Sequence, residues 1–163
     1  KEDGTFNKIN QFMKVIENNF DDIKVNDLLT KHFIELRSVS PDDSCHVLDI
    51  KGLKDSSIKF WSFWDNNQLI GCAALKFLDN KHGELKSIRV EDKSRGKGIG
   101  EKIISHLIKV AKEGGIRRLS IETGAGDFFK SARKLFKKFG FKTCVPFANY
   151  KEDPNSCYFD LEI

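Results

Sequence analysis

Arg95-Gly96-Lys97-Gly98-Ile99-Gly100-Glu101-Lys102-Ile103-Ile104-Ser105-His106-Leu107-Ile108-Lys109-Val110-Ala111 places three glycines within five residues directly ahead of an apolar stripe. Ile99, Ile103, Ile104, Leu107, Ile108 and Ala111 recur at the helical period and stop at Gly114-Gly115, which predicts an amphipathic helix with a glycine stop. The glycines let the backbone approach a ligand closely, and they leave free N–H groups at the positive end of the helix dipole. Such a turn suits phosphate, and Arg95 and Lys97 add positive charge. For the glycines alone, a flexible loop is the plain alternative. Spacing excludes two other phosphate turns. A P-loop needs G-x-x-x-x-G-K-S/T, whereas Gly100 is followed by Glu101-Lys102-Ile103. A dinucleotide turn needs G-x-G-x-x-G at the start of a βαβ unit, whereas this turn reads G-x-G-x-G in mid-chain.

Upstream of the turn, Glu84 to Val90 reads as a strand through Leu85, Ile88 and Val90, although its alternation is broken. Ile58 to Trp64 and Gln68 to Phe77 are β-rich runs separated by Asp65-Asn66-Asn67, a hairpin signature because Asn tolerates positive φ. A further turn falls at Asn80 to Gly83. Nearer the N-terminus, Phe12 to Glu17 reads as a short strand. Asp21 or Asp22 then caps a helix with Val25, Leu28, Leu29, Phe33 and Leu36 on one face, ending before Pro41. Downstream, Arg117 to Thr123 reads as a strand with Leu119 and Ile121 inward. Phe128 to Phe139 reads as a helix burying Phe128, Ala132, Leu135 and Phe139, with Phe129 and Phe136 beside that stripe. Phe141 to Val145 and Cys157 to Ile163 complete the strands. Hairpin strands followed by strand–helix–strand–helix–strand predict a mixed α/β sheet with helices packed on it.

The 163 residues contain no repeat, low-complexity tract or Pro/Ser-rich linker, so residues 1–163 are expected to form one domain. No apolar run approaches the roughly 20 residues that span a bilayer, and Lys1 to Asn10 lacks the apolar stretch of a signal peptide. The four cysteines, Cys45, Cys72, Cys144 and Cys157, form no C-x-x-C pair. Reduced thiols in the cytoplasm, with no metal site, are therefore expected. Net charge is +4, from 28 basic and 24 acidic residues, too mild to argue for nucleic acid.

Arg95-x-x-Gly98-x-Gly100 resembles the pyrophosphate motif of the GNAT N-acetyltransferase family, Gln/Arg-x-x-Gly-x-Gly/Ala. A Glu-Leu-x-x-Ile-x-Val strand precedes it and a long amphipathic helix follows, as in that family. Ala132-Arg133-Lys134-Leu135-Phe136-Lys137-Lys138-Phe139-Gly140-Phe141 is similar to the family's A-x-x-L-Y-x-x-x-G-F segment. Glu122-Thr123-Gly124 and Cys144-x-Pro146-Phe147-x-x-Tyr150-x-x-Asp153-Pro154-x-Ser156 resemble a subgroup of small bacterial acetyltransferases. The likeness covers roughly Gln68 to Ile163. It implies a central mixed sheet of about six to seven strands flanked by helices, acetyl-CoA as cosubstrate, and transfer of acetyl to an amine within a ternary complex.

Carried over residue by residue, the resemblance lays the pantetheine arm along Ile88, Arg89 and Val90. It seats the pyrophosphate on Arg95, Gly96, Lys97, Gly98, Ile99 and Gly100. Lys130 or Arg133 would meet the nucleotide end, although a solvated helix face accounts for those charges equally well. Glu84 matches a strand position where several members keep the general base that deprotonates the amine; a carboxylate at a strand edge is the alternative. Phe129 stands where the family commonly has an asparagine near CoA. Phe136 stands where it often has the tyrosine that protonates the departing thiolate, and phenylalanine cannot donate a proton. Tyr150, water or a cysteine is then left to assist a thiol whose ordinary pKa is near ~8.5.

Other residues carry plainer expectations. His46 reads as a capping or core histidine ahead of an acceptor-pocket residue. Trp61 and Trp64 fall on opposite strand faces, one in the core and the other open to a substrate or second subunit. Cys144 as a covalent acyl carrier ranks well below direct transfer. The acceptor pocket is expected from Lys31 to Leu53 and Phe147 to Ser156, where Asp42, Asp43, Asp49, Glu152 and Asp153 give an acidic rim suited to a cationic amine or a peptide N-terminus. An exposed C-terminal edge strand would suit a homodimer. Phe136 leaves one rival, an acyl-CoA-binding sensor without turnover.

Overall fold

The computed structural model describes residues 13–163. Phe12, the expected start of the first strand, lies outside the described residues, as does the polar N-terminus. The first described element is strand β1, Met13–Glu17, followed by helix α1, Ile23–Val39, and a one-turn helix α2, Ile50–Leu53. Strands β2, Ile58–Asp65, β3, Gln68–Phe77, and β4, His82–Val90, form a meander. Helix α3, Ile99–Glu113, strand β5, Arg118–Gly124, and helix α4, Lys130–Lys138, come next. Strands β6, Lys142–Thr143, and β7, Ser156–Glu162, close the chain. The seven strands form one sheet in the order β1-β2-β3-β4-β5-β7-β6. Only β4 and β5 run parallel; the remaining neighbours pair antiparallel.

Local signals account for most of these elements. Asp22 caps α1, its carboxylate accepting from the amides of Lys24 at 2.8 Å and Val25 at 3.3 Å. The β2–β3 turn holds Asn66 at φ 54°, the conformation Asn tolerates. The broken alternation of β4 is a bulge. Cys72 pairs with Arg89 and Ala74 with Lys86, so Ser87 and Ile88 together oppose Ala73. Ser87 sits at φ 52° and its carbonyl accepts from the Cys72 thiol at 3.5 Å. The extra residue flips the strand's parity, which keeps Leu85, Ile88 and Val90 on one face.

The sheet divides two cores. On one side α3, through Leu107, and α4, through Phe136, cover Trp61, Phe63, Leu85, Leu119 and Ile121; on the other α1 and α2 cover Phe60, Trp64, Leu69 and Ala74. Trp61 and Trp64 do face opposite ways, but both are buried, so neither is left for a substrate or a second subunit.

Three further expectations are corrected. The helix expected from Phe128 begins at Lys130, behind a 3₁₀ turn at Asp127–Phe129. The tighter turn rotates the stripe, leaving Phe128 43% exposed and Phe136 only 3% exposed. The strand expected over Phe141 to Val145 shrinks to two residues, because Pro146 offers no N–H to a ladder and Ala148 turns to φ 52°. The chain from Cys144 to Asn155 instead loops over the sheet. Finally, the C-terminal strand is not an edge, since β6 pairs with β7 on its outer side.

Candidate active site

β4 and β5 pair only through His82↔Arg118, Gly83↔Leu119 and Glu84↔Ser120. β4 then continues to Val90 and β5 to Gly124 without each other, so the sheet splits open beyond Glu84. The split leads to a cleft of about 530 Å³, whose wall includes Ile88, Arg89, Val90, Arg95, Gly96, Gly98, Ile99, Gly100, Phe129 and Phe136. At its end Gly96 and Gly98 adopt φ 75° and 76°. Gly98 is the N-cap of α3 and, among the described residues, no side chain satisfies the first-turn amides there, so they remain open to an anion.

Arg89 and Arg95, which flank the turn, are already engaged. Arg89, 5% exposed, pairs with Glu35 of α1 at 2.7 Å and with Asp92 at 3.4 Å. Asp92 also pairs with Arg95 at 3.0 Å and with Lys31. The Lys31 hydrogen bond leads in holding the Asp92 carboxyl below its ordinary range, with the Arg95, Lys31 and Arg89 charges behind it. Arg89 lines the cleft while its side chain ties β4 to Glu35 of α1. Arg133 donates to the carbonyls of Gly124 and Gly126, both at 2.8 Å, and lines no part of the cleft; Lys97 also lies off it. Gly124 is kept bare by Phe129, whose Cδ2 would lie 2.2 Å from an added Cβ. Gly124→Ala is accordingly expected to cost about 1–3 kcal/mol in urea unfolding, because the Phe129 ring must leave its rotamer.

A second cavity of about 80 Å³ adjoins the first. It adds Ser40, Ser44, Cys45, His46 and Val47, and the two share Lys86, Glu122, Phe129 and His32. The expected segments thus do meet here: Asn155 donates to Ser44 Oγ at 3.3 Å, and the His46 ring stands edge-on to Tyr150 at 5.0 Å. His46 is a pocket-wall residue, contrary to the capping or core expectation. The acidic rim is not the expected one. Asp42 and Asp43 are exposed, Asp49 caps α2 through the Gly52 amide at 2.8 Å, and none of the five acidic residues lines either cavity. Cys144 also lies outside both, and Cys72 is fully buried with its thiol pushed up to about 12 by desolvation.

Glu84 and Tyr150, 66 residues apart, meet: the Tyr150 hydroxyl donates to Glu84 Oε2 at 2.5 Å. Lys86 Nζ donates to the same Glu84 oxygen at 3.2 Å and to the Tyr150 oxygen at 3.0 Å. Glu84 is 3% exposed, and neither it nor Tyr150 lines either of these two cavities. Burial, followed by the Glu84 charge, pushes the Tyr150 phenol well above its ordinary range. The residues overlooked in the sequence are those in front. Glu122 on β5 lines both cavities and accepts from Ser156 Oγ at 3.2 Å. Burial pushes its carboxyl up to about 7, and the Ser156 bond and Lys86 only partly oppose this. His32 on α1 lines both as well; burial and then the Arg89 charge push it down to about 4, and its Nδ1 has no hydrogen-bond partner among the described residues. One available signal was period two: Ser120 and Glu122 alternate with inward Leu119 and Ile121, so they share a face.

Among the described residues no group of three or more His, Cys, Asp or Glu could hold a metal ion, and no helix is long and apolar enough to cross a membrane. A profile described as acetyltransferase (GNAT) family matches residues 23–141. The chain is 43% identical over 136 residues to YsnE of Bacillus subtilis, an uncharacterized N-acetyltransferase, covering 83% of this chain and 90% of that one. It is 40% identical over 136 residues to YedL of Escherichia coli, another uncharacterized N-acetyltransferase, covering 83% and 86%. Its fold is similar to the crystal structure of a GNAT family acetyltransferase from Elizabethkingia anophelis with acetyl-CoA bound. The TM-score is 0.69 at 20% identity, over 93% of this chain and 98% of that one.

Proposed function

The chain belongs to the GNAT acetyltransferase family and is an acetyl-CoA-dependent N-acetyltransferase, and on that premise we propose how its own residues hold and use the thioester. The pyrophosphate seats on the open first-turn amides of α3, with Gly96 and Gly98 supplying the left-handed turn that aims them. The pantetheine arm follows Ile88 to Val90, whose β5-facing edge has no strand partner beyond Glu84 among the described residues. That parting of β4 from β5 is the observation that carries the reading, because it sets an unpaired strand edge against a phosphate turn. Phe129 and Phe136 wall the arm, and the acceptor enters through the smaller cavity beside His46 and Lys86. Glu84 and Tyr150 are positioning residues: they hold Lys86 from behind. The acetyl carbon passes directly from sulfur to the amine nitrogen, with no acyl-cysteine between them.

The Glu122-Thr123-Gly124 and Cys144 to Ser156 segments support the small bacterial subgroup, and the continuous sheet supports one acyltransferase domain. Four cysteines without a disulfide favour the cytoplasm. Thiol release from acetyl-CoA across amines, amino acids, polyamines and peptides tests the reading. Release is expected with one acceptor class, and mass spectrometry should find no acetyl on protein treated with acetyl-CoA alone. Binding of acetyl-CoA without release on any acceptor would move the reading to the sensor, which the comparisons do not favour.

A further inference from the structure

We propose that Glu122, on β5, is the group that takes the proton from the acceptor amine, in place of Glu84 on β4; this rests on the acetyl-transfer reading. Two carboxylates stand near the split, and geometry separates them. Glu84 Oε2 is engaged by both Tyr150 and Lys86, and its side chain lines neither cavity. An incoming ammonium would have to break into that cluster. Glu122 lines the large cleft and the small cavity alike, so it stands where thioester and acceptor meet. Among the described residues, only Ser156 donates a hydrogen bond to it, at 3.2 Å, to Oε1.

The surrounding charges suit the task. Lys86 and Glu84 act on Glu122 from β4 and Asp153 from the loop before β7, while Tyr150 and Tyr158 feel its charge. His32 of α1 and His46 share its cavities. Glu84 neutralises Lys86, so the Glu122 carboxylate is the charge left to face a cation. A carboxyl titrating near about 7 is matched to accepting a proton at neutral pH. The ammonium gives one proton to Glu122, and the freed nitrogen lone pair forms the C–N bond to the thioester carbon. The C–S bond breaks with its electron pair going to sulfur. The nitrogen's second exchangeable proton ends on that sulfur, giving CoA thiol and the amide, and Glu122 returns its proton to water. The sign of the pH dependence follows. The carboxylate form is the active one, so kcat/KM should rise with pH up to about 7 and then flatten with respect to this group.

The test uses acetyl-CoA with two small probes: ethylamine, which arrives protonated, and hydroxylamine, which is unprotonated at neutral pH. Glu122→Gln should lower ethylamine turnover by about 10²–10⁴-fold and abolish the acidic limb. Hydroxylamine turnover should fall less than about tenfold, and acetyl-CoA binding by calorimetry should not change. Glu122→Asp, which keeps the carboxylate, should restore the acidic limb. Equal loss with both amines, or ethylamine turnover unchanged in Glu122→Gln, would overturn the assignment while leaving acetyl transfer intact. Wild-type protein that binds acetyl-CoA and releases thiol with neither amine, nor with any acceptor of the wider panel, would overturn the acetyl-transfer reading itself, and the assignment with it.

Discussion

Gly98→Val is expected to weaken acetyl-CoA binding by about a hundredfold or more, read by calorimetry, while the protein stays folded. Gly98 caps α3 at φ 76° and ψ 14°, where a β-branched residue is a steric outlier. The turn would relieve that strain by rotating out of the left-handed region, and the amides would no longer converge. Hydrogen bonds from amides to a charged group are worth about 1.5–3 kcal/mol each, and losing two exceeds the 2.8 kcal/mol that a hundredfold represents. Gly100→Ala is the control. Gly100 lies inside the helix without positive φ, and an added Cβ would meet Leu135 Cδ2 at 3.0 Å, the end of a flexible side chain. Affinity there should change little. If Gly98→Val binds as tightly as wild type, the pyrophosphate does not sit on this turn.

Glu84→Gln is expected to damage the fold more than the chemistry. Lys86 is largely buried, and Glu84 is the carboxylate paired with it. The amide keeps the shape and can still accept from Tyr150, but the lysine is left without its counterion. Removing one partner of a buried pair, or a charged hydrogen bond, costs about 2–3 kcal/mol here, at the lower end of such cases because the lysine keeps the Tyr150 oxygen. For a chain of this length that is a drop of roughly 4–12 °C in Tm. The acidic limb of the pH profile should survive, since Glu122 still accepts the proton. A loss of that limb in Glu84→Gln, with unchanged Tm, would return the base to Glu84.

The two variants mark different kinds of legibility. The Gly98 turn is read within a handful of residues, because a left-handed φ and a helix start are local demands that glycine and apolar spacing announce. The same holds for the Asp22 cap, the Asn66 turn and the α3 stripe. Where local rules compete, the reading slips. Asp127 to Phe129 takes three residues into a 3₁₀ turn, which moves Phe136 into the core and Phe128 out of it. Likewise Pro146 and Ala148 release the chain after Thr143 into the loop that carries Tyr150 to the sheet.

By itself, the order of residues determined a mixed α/β sheet, a phosphate turn before an amphipathic helix, and the family to which those segments belong. It also named Glu84 and Tyr150 as important without showing that they bond to each other. The tertiary structure alone decided which carboxylate lines the two cavities. That decision depends on β4 and β5 parting after Glu84, on a loop closing from 66 residues away, and on Lys86 filling the space between. A carboxylate's role follows from what desolvates and pairs it. Those neighbours come from strands and loops remote in sequence, so spacing along the chain carries no record of them.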